Sequence, residues 1–281
     1  MQLLALPFPA IDPVLVELGP FAIRWYALAY IVGIVLGWRI VRRLVRRPGW
    51  SITHEAVDDL LFYVTLGIIL GGRLGYILFY QPGHYLTHPL DILAVWRGGM
   101  SFHGGLIGVL VASALFARGR GLSFLEIVDA LAVVTPIGLF FGRIANFING
   151  ELWGRATTMP WAMVFPAKEA GGLERHPSQL YEAFLEGLVL FGLLWWMSHR
   201  MAALRRPGMV AGTFLIGYGL ARSFCELFRE PEPGHFLNVG PLTAGILYSI
   251  PMVVAGAIIL REAARRTPAI ADAQSHAKSS S

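Results

Sequence analysis

Seven long apolar runs are the feature that most constrains how this chain can fold. A transmembrane helix needs about 20 mostly apolar residues to cross the hydrocarbon core of a bilayer. The runs cover Phe21–Ile40, Asp59–Phe79, Gly99–Ala117, Phe124–Phe141, Ser178–Met197, Met209–Phe228 and Val239–Leu260. The chain of 281 residues is only 15% charged, whereas a soluble domain usually carries about 25% charged residues. We therefore expect an all-α integral membrane protein with about seven transmembrane helices.

Short basic segments between these runs predict the orientation of the helices. They follow the first, third, fifth and seventh runs, and the richest is "RRLVRR" at Arg42–Arg47. Because cytoplasmic loops of membrane proteins are enriched in Lys and Arg, we expect a periplasmic N-terminus and a cytoplasmic C-terminus. Residues 1–264 then form a single polytopic membrane domain, and the polar tail 265–281 is expected to be disordered and cytoplasmic.

The composition argues against several classes of function. The net charge of +5 does not indicate nucleic acid binding, because the arginines lie in clusters between apolar runs. The sequence contains no Cys/His ligand cluster, so we expect no metal and no cofactor. G-x-S-x-G and phosphate-cradling P-loop motifs are also missing from the sequence. The single cysteine, Cys225, is best explained as a small buried apolar residue.

Polar residues of six predicted helices fall at one level of the membrane, in the outer leaflet. They are Arg24, Tyr26, Arg73, His103, Arg143, Asn146, Gln179, Glu182, Arg222, Glu226 and Arg229. Polar side chains inside a membrane are costly, so their convergence indicates a site. Arginine presents a planar fork that suits phosphate oxygens, which makes an anionic phospholipid headgroup the natural ligand.

Each group also has a structural explanation. Arg24 and Tyr26 fit interfacial anchors, Arg222 and Glu226 fit an intramembrane ion pair, and Gln179 and Glu182 fit hydrogen bonding between helices. Arg143 and Arg229 would, on this reading, only pair with Glu151 or Glu226 to hold the fold. "SFLE", Ser123 to Glu126, fits a capping box that opens the fourth helix.

Two other functions compete with an enzyme. A lipid or solute transporter would suit seven helices with central charges, but the inner halves of these helices are nearly all apolar. A structural membrane protein that docks partners through the outer loop Arg155–Pro177 would explain that loop, but not the convergent polar residues.

The segment "GRIANFINGELWG", Gly142 to Gly154, carries a resemblance to a known family. Together with "FHGGL" around His103, "HPSQLYE" from His176 and "FREP" from Phe228, it resembles the prolipoprotein diacylglyceryl transferases. The blocks cover nearly the whole chain up to about residue 264. The resemblance implies transfer of a diacylglyceryl group from phosphatidylglycerol to the lipobox cysteine of a prolipoprotein, with release of glycerol phosphate.

The resemblance also implies the partners and the role of each residue. His103 would deprotonate the thiol of the substrate, and Arg143 and Arg229 would hold the phosphate. Tyr26, Asn146, Glu151 and Gly154 would shape the site. The partners would be phosphatidylglycerol, the lipobox peptide and the membrane, with no nucleic acid. The location would be the bacterial inner membrane, with the active site toward the periplasm.

Overall fold

The computed structural model describes residues 6–9, 11–19, 21–47, 50–94, 98–200, 203, 206–231 and 243–266. The chain divides into two units, the first built on Met1–Ile40 with Leu131–Ser281 and the second on Val41–Ala130. Both units are mainly helical.

The described chain begins with a β-hairpin rather than with a membrane helix. β1 (Val14–Leu18) pairs antiparallel with β2 (Phe21–Arg24), and α1 (Trp25–Leu44) follows directly. The predicted start of the first span at Phe21 is therefore wrong by four residues. Gly19 adopts a φ of 60°, which permits a tight turn and lets the short apolar segment pair as a strand. Hydropathy alone does not distinguish a short apolar strand from the first turn of a helix.

Five segments within the described residues are long and apolar enough to cross a membrane. They are His54–Tyr80, Phe102–Arg120, Phe124–Ile148, Ser178–Arg200 and Ala244–Arg265. These segments leave large apolar side chains exposed, including Leu70 at 57% and Ile258 at 58%, as is expected of surfaces that face lipid. The protein is therefore a multi-pass membrane protein, as the sequence predicts.

Unit 2 is organised by two closely packed helices, α2 (His54–Tyr80) and α4 (Phe102–Arg120). They meet along glycines: a Cβ added at Gly71 would lie 2.7 Å from the Gly108 Cα, and one at Gly75 would lie 2.7 Å from the Gly104 Cα. Small residues thus allow the two backbones to approach, as is common between membrane helices. Along the chain, α3 (Pro82–Thr87) and a 3₁₀ turn (Pro89–Leu93) follow α2 and precede α4.

Arg73 fixes the connection between α2 and α4. It is only 4% exposed, and its guanidinium donates hydrogen bonds to backbone carbonyl oxygens of residues 91, 92, 94, 98 and 99. Its charge also lies 5.2 Å from the ring centroid of Tyr85. Arg73 therefore stabilises the backbone of unit 2, which explains why a buried arginine occurs there.

The start of α5 (Phe124–Ile148) differs from the capping-box prediction. The Glu126 carboxylate accepts hydrogen bonds from the backbone N–H and the hydroxyl of Ser51. Glu126 is 6% exposed, and a buried carboxylate is stabilised by any close donor. A donor 75 residues away in the sequence thus takes the role predicted for a neighbour within the helix.

After α5, the described part of unit 1 contains the helices α6 (Ser178–Glu182), α7 (Leu190–Arg200), α8 (Met209–Glu226) and α9 (Ala244–Arg265), with a π-helical stretch at Ala183–Val189 between α6 and α7. The predicted seventh span starts at Val239, but residues 232–242 lie outside the described residues, as does the predicted tail from residue 267 onward. α9 itself continues to Arg265, one residue into the predicted tail.

The loop after α5 folds over its own small core. Phe147, Phe165 and Ala170 are buried there, and Phe8 and Trp153 pack against them. Two short strands, β3 (Met163–Val164) and β4 (Glu174–Arg175), pair antiparallel within this loop. The loop is therefore an ordered part of unit 1, and it holds the polar residues that follow α5.

Candidate active site

The last turns of α5 and the turn beyond them place three of the predicted site residues. α5 continues seven residues past Phe141, where the fourth span was predicted to end, so Arg143 and Asn146 lie three residues apart on one helix face. After the helix, Gly150 has a φ of 67° and Leu152 a φ of 58°. This reversal brings Glu151 back toward α5, where its backbone N–H donates to the Asn146 carbonyl oxygen at 3.1 Å.

Tyr26, Asn146 and Glu151 form a hydrogen-bonded group. The Tyr26 hydroxyl donates to Glu151 Oε1 at 2.7 Å, and Asn146 Nδ2 donates to the same oxygen at 2.9 Å. Asn146 Nδ2 also contacts the Tyr26 hydroxyl. Gln179 Nε2 donates to the backbone oxygen of Glu151 at 2.5 Å. Side chains from α1 and α5 therefore hold the Glu151 carboxylate, and Gln179 of α6 holds its backbone.

Glu182 is the centre of a buried ionic cluster. It is 0% exposed, and three arginines lie within ion-pair distance of it: Arg143 Nε at 3.3 Å, Arg222 Nη1 at 2.5 Å and Arg229 Nη1 at 3.3 Å. Arg222 Nη2 also pairs with Glu226 Oε2 at 2.6 Å. Buried charges persist only when they are paired, so these contacts fix the guanidinium groups in the interior of unit 1.

Gly154 lies where three backbone segments meet. Its N–H donates to the His176 carbonyl oxygen at 2.9 Å, and it forms an antiparallel bridge with Arg229. A Cβ at this position would lie 2.6 Å from the His176 Cβ, from the His176 oxygen and from the Phe228 oxygen. Only glycine fits here, and the close approach holds the end of α8, and with it Arg229, against the loop.

Aromatic residues pack together beside this junction. Tyr181 accepts a hydrogen bond from Trp161 Nε1 at 2.6 Å and lies 3.0 Å from His176 Nδ1. The ring centroid of Phe228 lies 5.3 Å from that of His176. Partial burial lowers the pKa of His176, so its imidazole is neutral at neutral pH. This wall beside the ionic cluster is thus aromatic and uncharged at neutral pH.

Known proteins with similar sequences identify the family. A sequence model of the family described as prolipoprotein diacylglyceryl transferase matches residues 13–261. A relative from Rhodospirillum rubrum, named phosphatidylglycerol–prolipoprotein diacylglyceryl transferase, is 59% identical over 274 residues, covering 95% of this chain and 97% of its own. Relatives of the same name from Gluconacetobacter diazotrophicus and Azospirillum brasilense are each 56% identical, over 92% and 95% of this chain and 92% and 100% of theirs. The chain belongs to the prolipoprotein diacylglyceryl transferase family.

This membership confirms the predicted family and the transferase class. Six of the seven predicted site residues lie in unit 1, where they fall into the groups described above: Tyr26, Arg143, Asn146, Glu151, Gly154 and Arg229. The structural alternative for two of them needs correction, because Arg143 and Arg229 share Glu182 as a partner, rather than Glu151 or Glu226. The predicted pair of Arg222 with Glu226 is present.

His103, the seventh predicted residue, belongs to unit 2. It is the second residue of α4, just after the N-cap Ser101, whose hydroxyl accepts a hydrogen bond from the Gly104 N–H at 3.2 Å. The His103 side chain is exposed, and its ring lies edge-on to Phe102 with the centroids 5.7 Å apart. The imidazole thus lies at the N-terminal end of α4, where Gly104 packs against α2.

Sequence reasoning missed Glu186. This residue of the transferase is 0% exposed, and its Oε2 accepts a hydrogen bond from Arg143 Nη2 at 3.3 Å. The signal was present in the sequence: a second glutamate stands four residues after Glu182, inside an apolar run, which places both on one helix face. An intramembrane carboxylate of this kind is a functional-site candidate by default.

Proposed function

We propose that this protein transfers the diacylglyceryl group of phosphatidylglycerol to the thiol of a lipobox cysteine in a bacterial prolipoprotein. A C–S bond forms at the glycerol carbon, the bond from that carbon to the phosphate oxygen breaks, and glycerol phosphate leaves. The thiol proton passes to a base. The buried arginine cluster around Glu182 supports this proposal best, because it offers three guanidinium groups inside a membrane protein whose relatives are named for an anionic lipid.

Arg143 and Arg229 are proposed to hold the phosphate. A guanidinium fork can donate two parallel hydrogen bonds to phosphate oxygens, which a lysine cannot. Both guanidinium groups already contact the Glu182 carboxylate, so they lie close together before any lipid binds. Such preorganised donors stabilise the negative charge that grows on the leaving phosphate.

His103 is proposed to take the proton of the acceptor thiol. A free cysteine has a pKa of about 8.5 and is mostly protonated at neutral pH, so the reaction needs a base. Histidine suits this task because its ordinary pKa lies close to neutral pH. The thiol belongs to the substrate, and the chain's own Cys225 is fully buried in α8.

Tyr26, Asn146, Glu151 and Gly154 are proposed to shape the site. Three of them form a single hydrogen-bonded group, which keeps the Glu151 carboxylate in place beside α5. Gly154 permits the backbone contact that positions Arg229. Alignment of the thiol and the glycerol carbon depends on such fixed surroundings.

The membrane arrangement is proposed to comprise seven spans, with α1 and α8 added to the five segments given above. α1 has 20 residues and α8 has 18, so each is about 27–30 Å long and can cross the hydrocarbon core. The basic segments favour a periplasmic N-terminus and a cytoplasmic C-terminus in the bacterial inner membrane. The arginine cluster then opens toward the periplasmic leaflet, where a secreted prolipoprotein arrives.

Transfer can be tested with purified protein in detergent. The protein is incubated with phosphatidylglycerol and a synthetic lipobox peptide, and mass spectrometry follows the mass of one added diacylglyceryl group. A matched peptide with serine in place of the cysteine should gain no mass. Absence of the adduct with the cysteine peptide, under conditions where the protein stays folded, would refute the proposed reaction.

A further inference from the structure

Each of the three glutamates of the ionic cluster has one buried oxygen without a hydrogen bond among the described residues, and Glu186 is the one whose nearest arginine nitrogen lies farthest away. Its Oε2 accepts a hydrogen bond from Arg143 Nη2 at 3.3 Å, whereas its Oε1 is buried and has no hydrogen-bond partner among the described residues. An ionised carboxylate with a buried oxygen that accepts no hydrogen bond costs free energy, and this cost is larger inside a membrane. A proton on this oxygen would remove the cost, so the ionised state of Glu186 depends on its contact with Arg143.

The local backbone places Glu186 on Arg143. Glu186 lies in the π-helical stretch Ala183–Val189, and such stretches frequently occur at functional sites. At the next residue, a Cβ added to Gly187 would lie 2.7 Å from the Phe140 Cβ, so α5 passes very close to the π-helical stretch. Arg143 follows Phe140 by three residues on α5 and therefore lies on the same side of the helix. The glutamate is thus built into the cluster by packing.

The described residues of the cluster carry equal numbers of positive and negative side chains. They are three arginines and three glutamates: Arg143, Arg222, Arg229, Glu182, Glu186 and Glu226. A phosphate diester that enters this cluster adds one negative charge, and unpaired charge is poorly tolerated in a medium of low dielectric constant. Uptake of one proton by a carboxylate restores the balance.

Among the three carboxylates, Glu186 lies farthest from its nearest arginine nitrogen, at 3.3 Å. Glu182 contacts three arginines, and Glu226 contacts Arg222, whose Nη2 lies 2.6 Å from Glu226 Oε2. Glu186 has only Arg143 as an ion-pair partner within the described part of the chain, and that arginine is the one proposed to engage the phosphate. Among the described residues, the other ionisable groups that face Glu186 are Glu182 from α6 and, from α8, Arg222, Tyr218 and Cys225.

We propose that Glu186 is a proton-accepting counter-ion of the lipid donor site. Without lipid, the ionised carboxylate holds the Arg143 guanidinium. When the phosphate of an anionic lipid binds to Arg143, Glu186 takes one proton from bulk water and releases the guanidinium to the phosphate. The proposal rests on the proposed function insofar as the ligand is an anionic phospholipid, and it adds that binding of this lipid is coupled to uptake of one proton.

The coupling can be measured on the wild-type protein without a peptide acceptor. Titration calorimetry with short-chain phosphatidylglycerol, in two buffers of different ionisation enthalpy at one pH, gives the number of protons taken up per lipid. We expect about one proton, and an affinity for the lipid that falls up to tenfold per pH unit as the pH rises above neutral. Zero protons per bound lipid would overturn the proposal.

Variants assign the proton to a residue. Glu186→Gln, which preserves the shape of the side chain, should bind the lipid without proton uptake and with little dependence on pH. Glu169→Gln, a control at an exposed position of the outer loop and outside the cluster, should retain the uptake. Uptake that persists in Glu186→Gln would refute the assignment.

Two further measurements test which ligand binds, and whether the role of Glu186 and the proposed reaction stand or fall independently. Inorganic phosphate at the same concentration should give no uptake, and uptake equal to that with phosphatidylglycerol would refute a lipid headgroup site. Peptide modification is measured in parallel by mass spectrometry. Transfer without proton uptake would refute the role of Glu186 alone, whereas proton uptake on lipid binding without transfer would refute the proposed reaction and leave the role of Glu186 standing.

Discussion

Replacing Gly154 by alanine tests whether backbone packing positions Arg229, one of the two arginines proposed to bind the phosphate. The added Cβ would lie 2.6 Å from two carbonyl oxygens and from the His176 Cβ, and ordinary contact begins near 3.4 Å. None of these three atoms lies at the end of a flexible side chain, so the backbone itself has to separate by about 0.8 Å. The hydrogen bond from Gly154 N to His176 O, now 2.9 Å, would then exceed normal hydrogen-bond length.

The size of the effect follows from this displacement. Overpacking of a tight site costs about 1–3 kcal/mol of stability, which should lower the thermal midpoint but still allow folding. Arg229 is bridged to Gly154, so its guanidinium should move by a similar distance from Glu182. A misplacement of about 1 Å can slow an enzymatic reaction by about 100-fold, and we expect a loss of that order in the transfer rate.

The assay compares Gly154→Ala with Gly192→Ala in detergent, using phosphatidylglycerol, a lipobox peptide and mass spectrometry. Gly192 lies in α7, and a Cβ there would meet no atom within 4 Å, so its substitution should leave the rate unchanged. Thermal unfolding is recorded for both variants, and rates are compared at a temperature where both are folded. A folded Gly154→Ala protein with a rate within about threefold of wild type would refute this reasoning, because the expected loss is about 100-fold.

Four further predictions concern the mechanism and the topology. Arg143→Lys keeps the charge but loses one hydrogen bond, so transfer should fall roughly 10- to 150-fold; a normal rate in the folded variant would exclude a phosphate clamp. Arg229→Lys should be impaired in the same assay for the same reason, and an unaffected rate would remove Arg229 from the clamp. His103→Gln should lose activity between about pH 6 and pH 8; wild-type rates across that range would exclude the base role. An impermeant thiol reagent added from outside should fail to label a cysteine placed in the Arg42–Arg47 segment of a Cys225→Ala protein, which should itself retain most activity; labelling there would overturn the orientation.

The sequence alone determined the membrane class and the family. Apolar runs are a local property of the chain, because each span must bury about 20 residues in lipid regardless of its neighbours. The residue spacing of the block "GRIANFINGELWG" can be read without knowledge of the tertiary structure. It indicated the family that the relatives confirm. Span boundaries were less well determined: Phe21–Arg24 forms a strand, and α5 extends to Ile148. In both places the boundary depends on backbone hydrogen bonds, which a hydropathy pattern does not report.

Only the tertiary structure decided which charged residues are partners. Glu182 meets Arg143, Arg222 and Arg229, which stand 39, 40 and 47 residues away along the chain, and no local pattern specifies such pairs. Glu186 joins the cluster because a π-helical stretch and a close contact at Gly187 turn it toward α5. Periodicity predicts the face of a regular helix, but it does not predict which helix packs against that face or how closely. The charged residues could therefore be identified from the sequence, whereas their pairing depends on how separate helices pack together.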